Sequence, residues 1–396
     1  MHPSSLPVPD SPRHPGRARR GMALLSAIFV IIVITLLVVG GLYSATQEYR
    51  GARNSLVEQR AFAVAEFGLN NEVSNWLTAR NLNPPAGMAV GAVDTTRRWV
   101  ADGDTSFVTV TRLTANTFWV NADGQASMGS DMLQSRRQTS AYVRLAYPSI
   151  TPGGALTAAG EVKINGAATV DGNDEDPPGW TACPVGSADL PGILVGTGVE
   201  PDINKADNVT GNPAWTESPA AADSNTYIRY GSETWNSLAA NAEIKLLGTM
   251  FGTDIKPSVN AAGTCSSGTA NWGEPHRPPT SGTVAACYNR FPIVYATGDL
   301  TINGKGRGQG ILLVNGSLRI TGQFEFHGIV IVRDHIVKGN GTAQIYGAVY
   351  VRNAELDESG FYGTQDIQYS RCAVENALRG SAVLTRVTER HWAQVY

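Results

Sequence analysis

Two stretches of this 396-residue chain carry side chains suited to chemistry. The first is Asp171-Gly172-Asn173-Asp174-Glu175-Asp176. Asp171, Asn173 and Asp174 offer the hard oxygen donors that Ca²⁺ prefers. Their spacing is not that of an EF-hand loop, whose ligands run through position 12, and a solvated turn accounts for the same residues. The second is Phe324-Glu325-Phe326-His327. Side chains alternate along a strand, so the two Phe are expected inside and Glu325 and His327 on the solvent face. Polysaccharide hydrolysis or lysis needs acids or bases converging on one face. One repeat after Asp299 comes Ser317, then His335, so the rows do not supply such a set. The sequence therefore predicts no catalytic residue, no enzyme activity and no cofactor. The four cysteines, Cys183, Cys265, Cys287 and Cys372, lack the CxxC spacing of a zinc site. They are expected as disulfides, Cys265 with Cys287 and Cys183 with Cys372, one of the three connectivities that four cysteines allow.

An internal repeat supplies the scaffold for these residues. Gly298-Asp299-Leu300-Thr301-Ile302-Asn303-Gly304 recurs as Gly316-Ser317-Leu318-Arg319-Ile320-Thr321-Gly322, and more loosely from Asp334 and Asn353. Gly310-Ile311-Leu312-Leu313-Val314 recurs in step as Gly328-Ile329-Val330-Ile331-Val332 and Gly347-Ala348-Val349-Tyr350-Val351. The offsets are 18, 18 and 19 in the first set and 18 and 19 in the second. Short strands cornered by Gly or Asn at this period predict a parallel β-solenoid. An isolated copy, Gly160-Glu161-Val162-Lys163-Ile164-Asn165-Gly166, places one coil earlier. The solenoid is thus expected over 154–170 and 292–370. A loop-rich insertion, 171–291, interrupts it, and a C-terminal segment, 371–396, follows it.

Upstream, residues 99–100, 106–112, 117–121 and 139–147 are rich in β-branched and aromatic side chains and read as strands of a small antiparallel sheet within 86–147. Arg136-Arg137 reads as a solvated strand edge that discourages aggregation. The sheet needs a partner, and the N-terminal part provides one. Residues 22–43 carry no charge, and as a helix they would span about 33 Å, enough to cross a bilayer. Ser26 and Thr35 can back-bond to helix carbonyls. Beyond Tyr43, Leu56, Phe62, Ala65, Leu69, Val73, Trp76 and Leu77 recur at helical spacing, so one helix is expected to continue amphipathically through 44–80. Residues 1–21 are a Pro-rich basic leader whose arginines keep the N-terminus cytoplasmic. The fold class expected is α+β, mainly β.

Two motifs resemble the PilX-type minor pilins of type IV pili. Arg20-Gly21-Met22-Ala23-Leu24 is similar to the family's Arg-Gly-x-Ala-Leu opening. Gln59-Arg60-Ala61-Phe62-Ala63-Val64-Ala65-Glu66-Phe67-Gly68-Leu69 resembles its QxAFxAAEAGL segment, so Gln59, Ala61, Phe62, Ala65, Glu66, Gly68 and Leu69 carry the match. The resemblance covers roughly residues 19–77, about 15% of the chain. It implies cleavage by a prepilin peptidase between Gly21 and Met22, methylation of the new N-terminus, a single inner-membrane span and assembly with other pilins. One position departs from the pattern. Major pilins carry Glu at the fifth mature position, and here it is Ser26, whose hydroxyl cannot supply that charge in a low-dielectric site. That points to a rare subunit rather than the bulk of a fibre.

The formal charge is −3, and residues 1–21 carry four Arg against Asp10, net +3, so the remainder stands at −6 before the new amine adds one positive charge. A mildly acidic chain does not advertise nucleic-acid binding. The expectation is a minor pilin-like protein displaying an extracytoplasmic solenoid for assembly priming or surface contact. The competing expectation is a membrane-anchored envelope solenoid, structural or polysaccharide-active and unrelated to pili.

Overall fold

The computed structural model describes residues 20–82, 87–99, 103–128, 133–180, 189–248, 250–252, 254–277, 282–337, 339, 341–356, 365–386 and 392–395. Of the leader expected over 1–21, residues 1–19 lie outside them. Helix α1 (Arg20–Ser74) is continuous over 55 residues. Its first part exposes apolar side chains such as Leu24, Phe29, Leu36 and Leu42, and it is long and apolar enough to cross a membrane. Ser26 Oγ donates to Ala23 O at 3.0 Å and Thr35 Oγ1 to Ile31 O at 2.7 Å, so both hydroxyls are satisfied inside the helix. The second part buries one face, Val57, Ala61, Val64, Ala65 and Leu69. The helix ends at Ser74, and Trp76 then turns back onto the sheet. Its ring meets Phe118 edge-on at 5.1 Å and its Nε1 donates to Asn81 Oδ1.

That face covers an antiparallel sheet of β1 (Val93–Trp99), β2 (Thr105–Arg112), β3 (Thr117–Met128) and β4 (Leu133–Ala146), paired in sequence order. Two further strands, Val383–Arg386 and Trp392–Val395, pair antiparallel with β4. The chain's last residues thus complete its first sheet, a role the sequence did not reveal. Helix and sheet approach at two glycines. A Cβ on Gly68 would overlap Ser106 Oγ, and one on Gly124 would overlap Ala61 O.

Apart from the antiparallel pair Arg229–Tyr230 and Glu233–Thr234, the remaining strands among the described residues pair in parallel. One ladder runs Ile244–Leu246, Ile293–Ala296, Lys305–Val314, Gln323–Val337, Thr342–Leu356, Leu156–Ala158, Ile193–Val195, Trp215–Glu217. A second runs through Met250–Phe251, Leu300–Ile302, Leu318–Ile320, the ends of the two long strands, then Val162–Ile164 and Asp202–Ile203. A third joins the starts of the long strands to Gln365–Tyr369, Thr169–Asp171 and Val209–Thr210. Two expectations change here. The early copy lies beside the last one, with Val349 opposite Leu156 and Ala354 opposite Val162. Residues 171–291 are also not simply an insertion, because they contribute strands at both ends of the ladders. Strands of two or three residues have too short a run to show periodicity, so only backbone pairing reveals them.

Gly310, Gly328 and Gly347 stand opposite one another in adjacent strands, with φ of 116°, 140° and 142°. A Cβ on each would overlap a carbonyl of the preceding strand, Pro292 O, Gly310 O and Gly328 O respectively. The row therefore combines a backbone conformation reserved for glycine with a steric exclusion. We expect Gly328→Ala to lower stability by at least about 2 kcal/mol, read as a shift in the urea midpoint of tryptophan fluorescence. Gly263, at φ 75° with open space around it, provides the comparison. Gly263→Ala should lose only the backbone strain, about 1 kcal/mol.

Candidate functional site

The stretch 59–69 on α1 sorts by face. Ala61 and Ala65 are fully buried against the sheet, with Gly68 and Leu69 beside them. Small residues are what the close approach at Gly124 and Ser106 requires. Gln59 and Glu66 are exposed and Phe62 is half-buried. Leu56 and Phe67 stay largely exposed, continuing the apolar surface of the helix's first part along its length. Gly21 and Met22 lie in the first turn of α1, and Ser26 follows one turn later. Ion pairs border the contact. Arg60 Nε meets Asp104 Oδ2 at 2.5 Å, Arg137 Nη2 meets Glu58 Oε2 at 2.9 Å, and Arg136 pairs with Asp123. Arg136 and Arg137 are thus engaged with carboxylates rather than serving only as a solvated edge.

The end of α1 is tied to the rest of the molecule by buried cations. Arg80 binds Glu72 Oε1 at 2.6 Å and Asp94 Oδ2 at 2.5 Å, and it lies 5.0 Å from the Trp76 ring. Glu72 is fully buried, so this pair is a fixed link rather than a surface contact. Arg112 is also buried. Nη1 donates to Leu82 O and Met88 O, Nη2 to Ala115 O and Asn81 O, and Nε to Thr114 O. Burial and then the charge of Arg379 lower its pKa. Asn81 Nδ2 donates to Arg379 O at the end of the C-terminal helix, Arg371–Gly380. That helix packs on the parallel ladders, so the two parts of the molecule meet through these contacts.

The acid cluster is used internally. Asp171 Oδ1 accepts from the Asn173 backbone and side chain, and Asp174 Oδ1 accepts from the Arg371 backbone where the C-terminal helix begins. Burial, then the Asp174 charge, raises the Asp176 pKa. Among the described residues no group of three or more His, Cys, Asp or Glu is placed to hold a metal ion. Cys265 and Cys287 are joined by a disulfide. Cys372 is disulfide-bonded as well, and Cys183 lies outside the described residues.

The second chemical stretch departs from expectation. Phe324 and Phe326 are buried and stacked, with ring centroids 5.9 Å apart. His327 is fully buried too, not on a solvent face. Residues from 171–291 cover it: Trp180 lies 5.4 Å and His276 6.4 Å away, and Tyr346 lies 4.8 Å away in the next strand. Glu325 accepts from His327 Nε2 and His276 Nε2, both at 2.7 Å. A carboxylate only accepts, so each imidazole carries its proton on Nε2. His327 Nδ1 has no partner, which suits an unprotonated nitrogen better than a buried N–H. Burial raises the Glu325 pKa, but the two histidine hydrogen bonds and charges outweigh it and bring it down to about 2. Burial lowers the His327 pKa against the pull of Glu325, with His276 and Arg277 acting in the same direction as burial. Arg277 is itself pushed down to about 10 by burial, between the Trp180 and Tyr288 rings.

The same flank carries Arg307, held by the fully buried Glu274, and the exposed Lys256 and Lys305. Sequence reasoning missed these. The repeat offset of 18 sets Arg307 over Glu325 and Lys305 over Gln323 and would have found two of them. Burial shifts His327 towards its neutral form in the folded protein, so the unfolded chain takes up that proton first. Its contribution to stability is complete above about pH 6.5 and declines as pH falls below it. Glu325 acts with the same sign lower down, complete above about pH 4.5 and lost towards about 2. We expect His327→Asn to flatten the loss of urea midpoint between pH 7 and pH 5, while wild type shows the steeper fall.

No family model matches the chain, and no curated protein matches it. Among solved structures, the competence-associated pilin ComZ from Thermus thermophilus is similar over 86% of this chain and 97% of that chain, at 12% identity and a TM-score of 0.27, a likeness too distant to argue from.

Proposed function

We propose that this chain is a pilin-like protein of the PilX type, a minor component of a type IV pilus or related machine. One observation carries the reading. A single helix is apolar on all sides over its first part, then packs one small-residue face on an antiparallel sheet at the residues of the motif. Such a helix suits a protein that leaves a bilayer to pack beside other helices, with Leu56 and Phe67 as the outward contacts. In this reading residues 1–21 are the leader and Gly21–Met22 the peptidase site. Residues 22–43 span the inner membrane, and the rest is extracytoplasmic. Ser26 marks a rare subunit. The parallel ladders form a β-solenoid displayed for assembly priming or surface contact, and the protein is not an enzyme. The partners are other pilins, the prepilin peptidase and the inner membrane, without nucleic acid or cofactor.

The reading is tested by intact mass and N-terminal peptide mapping of the protein from its native membrane. The mature chain should begin at N-methylated Met22, and Gly21→Leu should retain residues 1–21. A wild-type chain beginning at Met1, or normal processing of the variant, sinks the reading and favours an anchored envelope protein unrelated to pili.

A further inference from the structure

A cleft of about 430 Å³ opens on the outer side of the third ladder, a size ordinary for small-ligand sites. Two rows of side chains in register form its floor. Lys305, Gln323 and Thr342 make the first, and Arg307, Glu325 and Gln344, two residues further along each strand, make the second. Successive members of a row sit about 4.8 Å apart, the spacing of neighbouring strands. Asp254, Lys256 and His276 wall the cleft from one side.

The polar groups here are set in place before any ligand arrives. Arg307 donates Nε and Nη2 to the two oxygens of Glu274, each at 2.7 Å, and Nη2 also to Gly282 O. Its Nη1 makes no hydrogen bond among the described residues. Each Glu325 oxygen is fixed by a histidine at 2.7 Å, yet a carboxylate oxygen can accept again. Lys256 and Lys305 make no ion pair among the described residues. One Asp254 oxygen is occupied by the Lys305 backbone N–H. The groups left unengaged are two ammonium groups, one guanidinium edge, two amides and a hydroxyl, against the second Asp254 oxygen and the remaining lone pairs of Glu325, so donors outnumber acceptors.

A donor-rich floor calls for a ligand dense in oxygen acceptors, with negative charge for the lysines. An extended peptide does not fit that description. The floor is a sheet face rather than an open edge, and its backbone groups are spent in the ladder. Duplex DNA fits no better, because a cleft of about 430 Å³ admits a single saccharide chain but not a duplex. We infer that this cleft binds a carboxylate-bearing saccharide chain. Lys256, Lys305 and Arg307 take the carboxylates, while Gln323, Thr342, Gln344 and Glu325 take the hydroxyls. The inference stands on the cleft and does not depend on the pilin reading.

The test titrates the full-length protein in detergent micelles with oligogalacturonate by calorimetry. Neutral malto-oligosaccharide and duplex DNA form the other two arms. Wild type should bind oligogalacturonate saturably and the other two at least about tenfold more weakly. The Lys256→Gln/Lys305→Gln double variant should lose at least about tenfold in affinity, the scale of one lost charge-assisted hydrogen bond. Both lysines are exposed, so the variant should keep the wild-type circular dichroism. Lys245→Gln, at an exposed lysine outside the cleft, should bind as wild type does. No saturable binding of oligogalacturonate overturns the inference. So do equal affinity for the neutral saccharide, tighter binding of DNA, or an unchanged affinity in the double variant.

Discussion

Adjacent parallel strands can lie only so close, and in this protein that limit falls on one row of glycines. At Gly310, Gly328 and Gly347 the chain bends with positive φ while the carbonyl of the strand before occupies the place of a Cβ. Because the corner repeats at the same point in each strand, the strands after it stay in register. That register stacks Ile311, Ile329 and Ala348 in the core. It also keeps Arg307, Glu325 and Gln344 aligned on the outside. A slip of one residue would exchange these two sets. The core and the outer polar rows thus rest on the same steric requirement.

Joining the helix-and-sheet part to the ladders requires a different interaction. Arg112 gathers carbonyls from the turn after α1 and from the β2–β3 connection, while Arg379 reaches Ala115 O from the C-terminal helix. Leu82, Trp180, Phe291, Cys372 and Ala373 pack together beside them. A guanidinium with several donors can serve many carbonyls at once, which a single apolar side chain cannot do. The junction is therefore directional, and it sets how the helix sits against the ladders.

The parts of the structure that were legible in the sequence share one property: their signal is local or strictly periodic. The uncharged run from Met22 and the helical spacing through Leu69 announced α1. The glycine-cornered repeat announced parallel strands, and the alternation at Phe324 and Phe326 announced a stacked interior. What was not legible depends on residues far apart in the chain. Burial of His327 is decided by Trp180 and His276, which no periodicity links to it. The place of Leu156–Ala158 is decided by Thr342–Leu356. The cleft lay between these cases. Its floor follows from the repeat offset, but its wall at Asp254, Lys256 and His276 does not.

The position of Leu156–Ala158 within the ladders governs how the chain can reach its folded state. A chain is made from its N-terminus, so this strand forms early, with two open edges. Ile193–Val195 follows soon and covers one edge, but the other waits for Thr342–Leu356. β4 waits longer still, for Val383–Arg386 and Trp392–Val395. Pairings of such long sequence separation form slowly, because loop closure comes before any contact rewards it. Until then two sheets hold unpaired edges that can pair with other chains. A chain cut short before residue 342 would keep both edges open permanently. Residues 342–395 therefore close two sheets begun far upstream, and neither is safe from aggregation until they are in place.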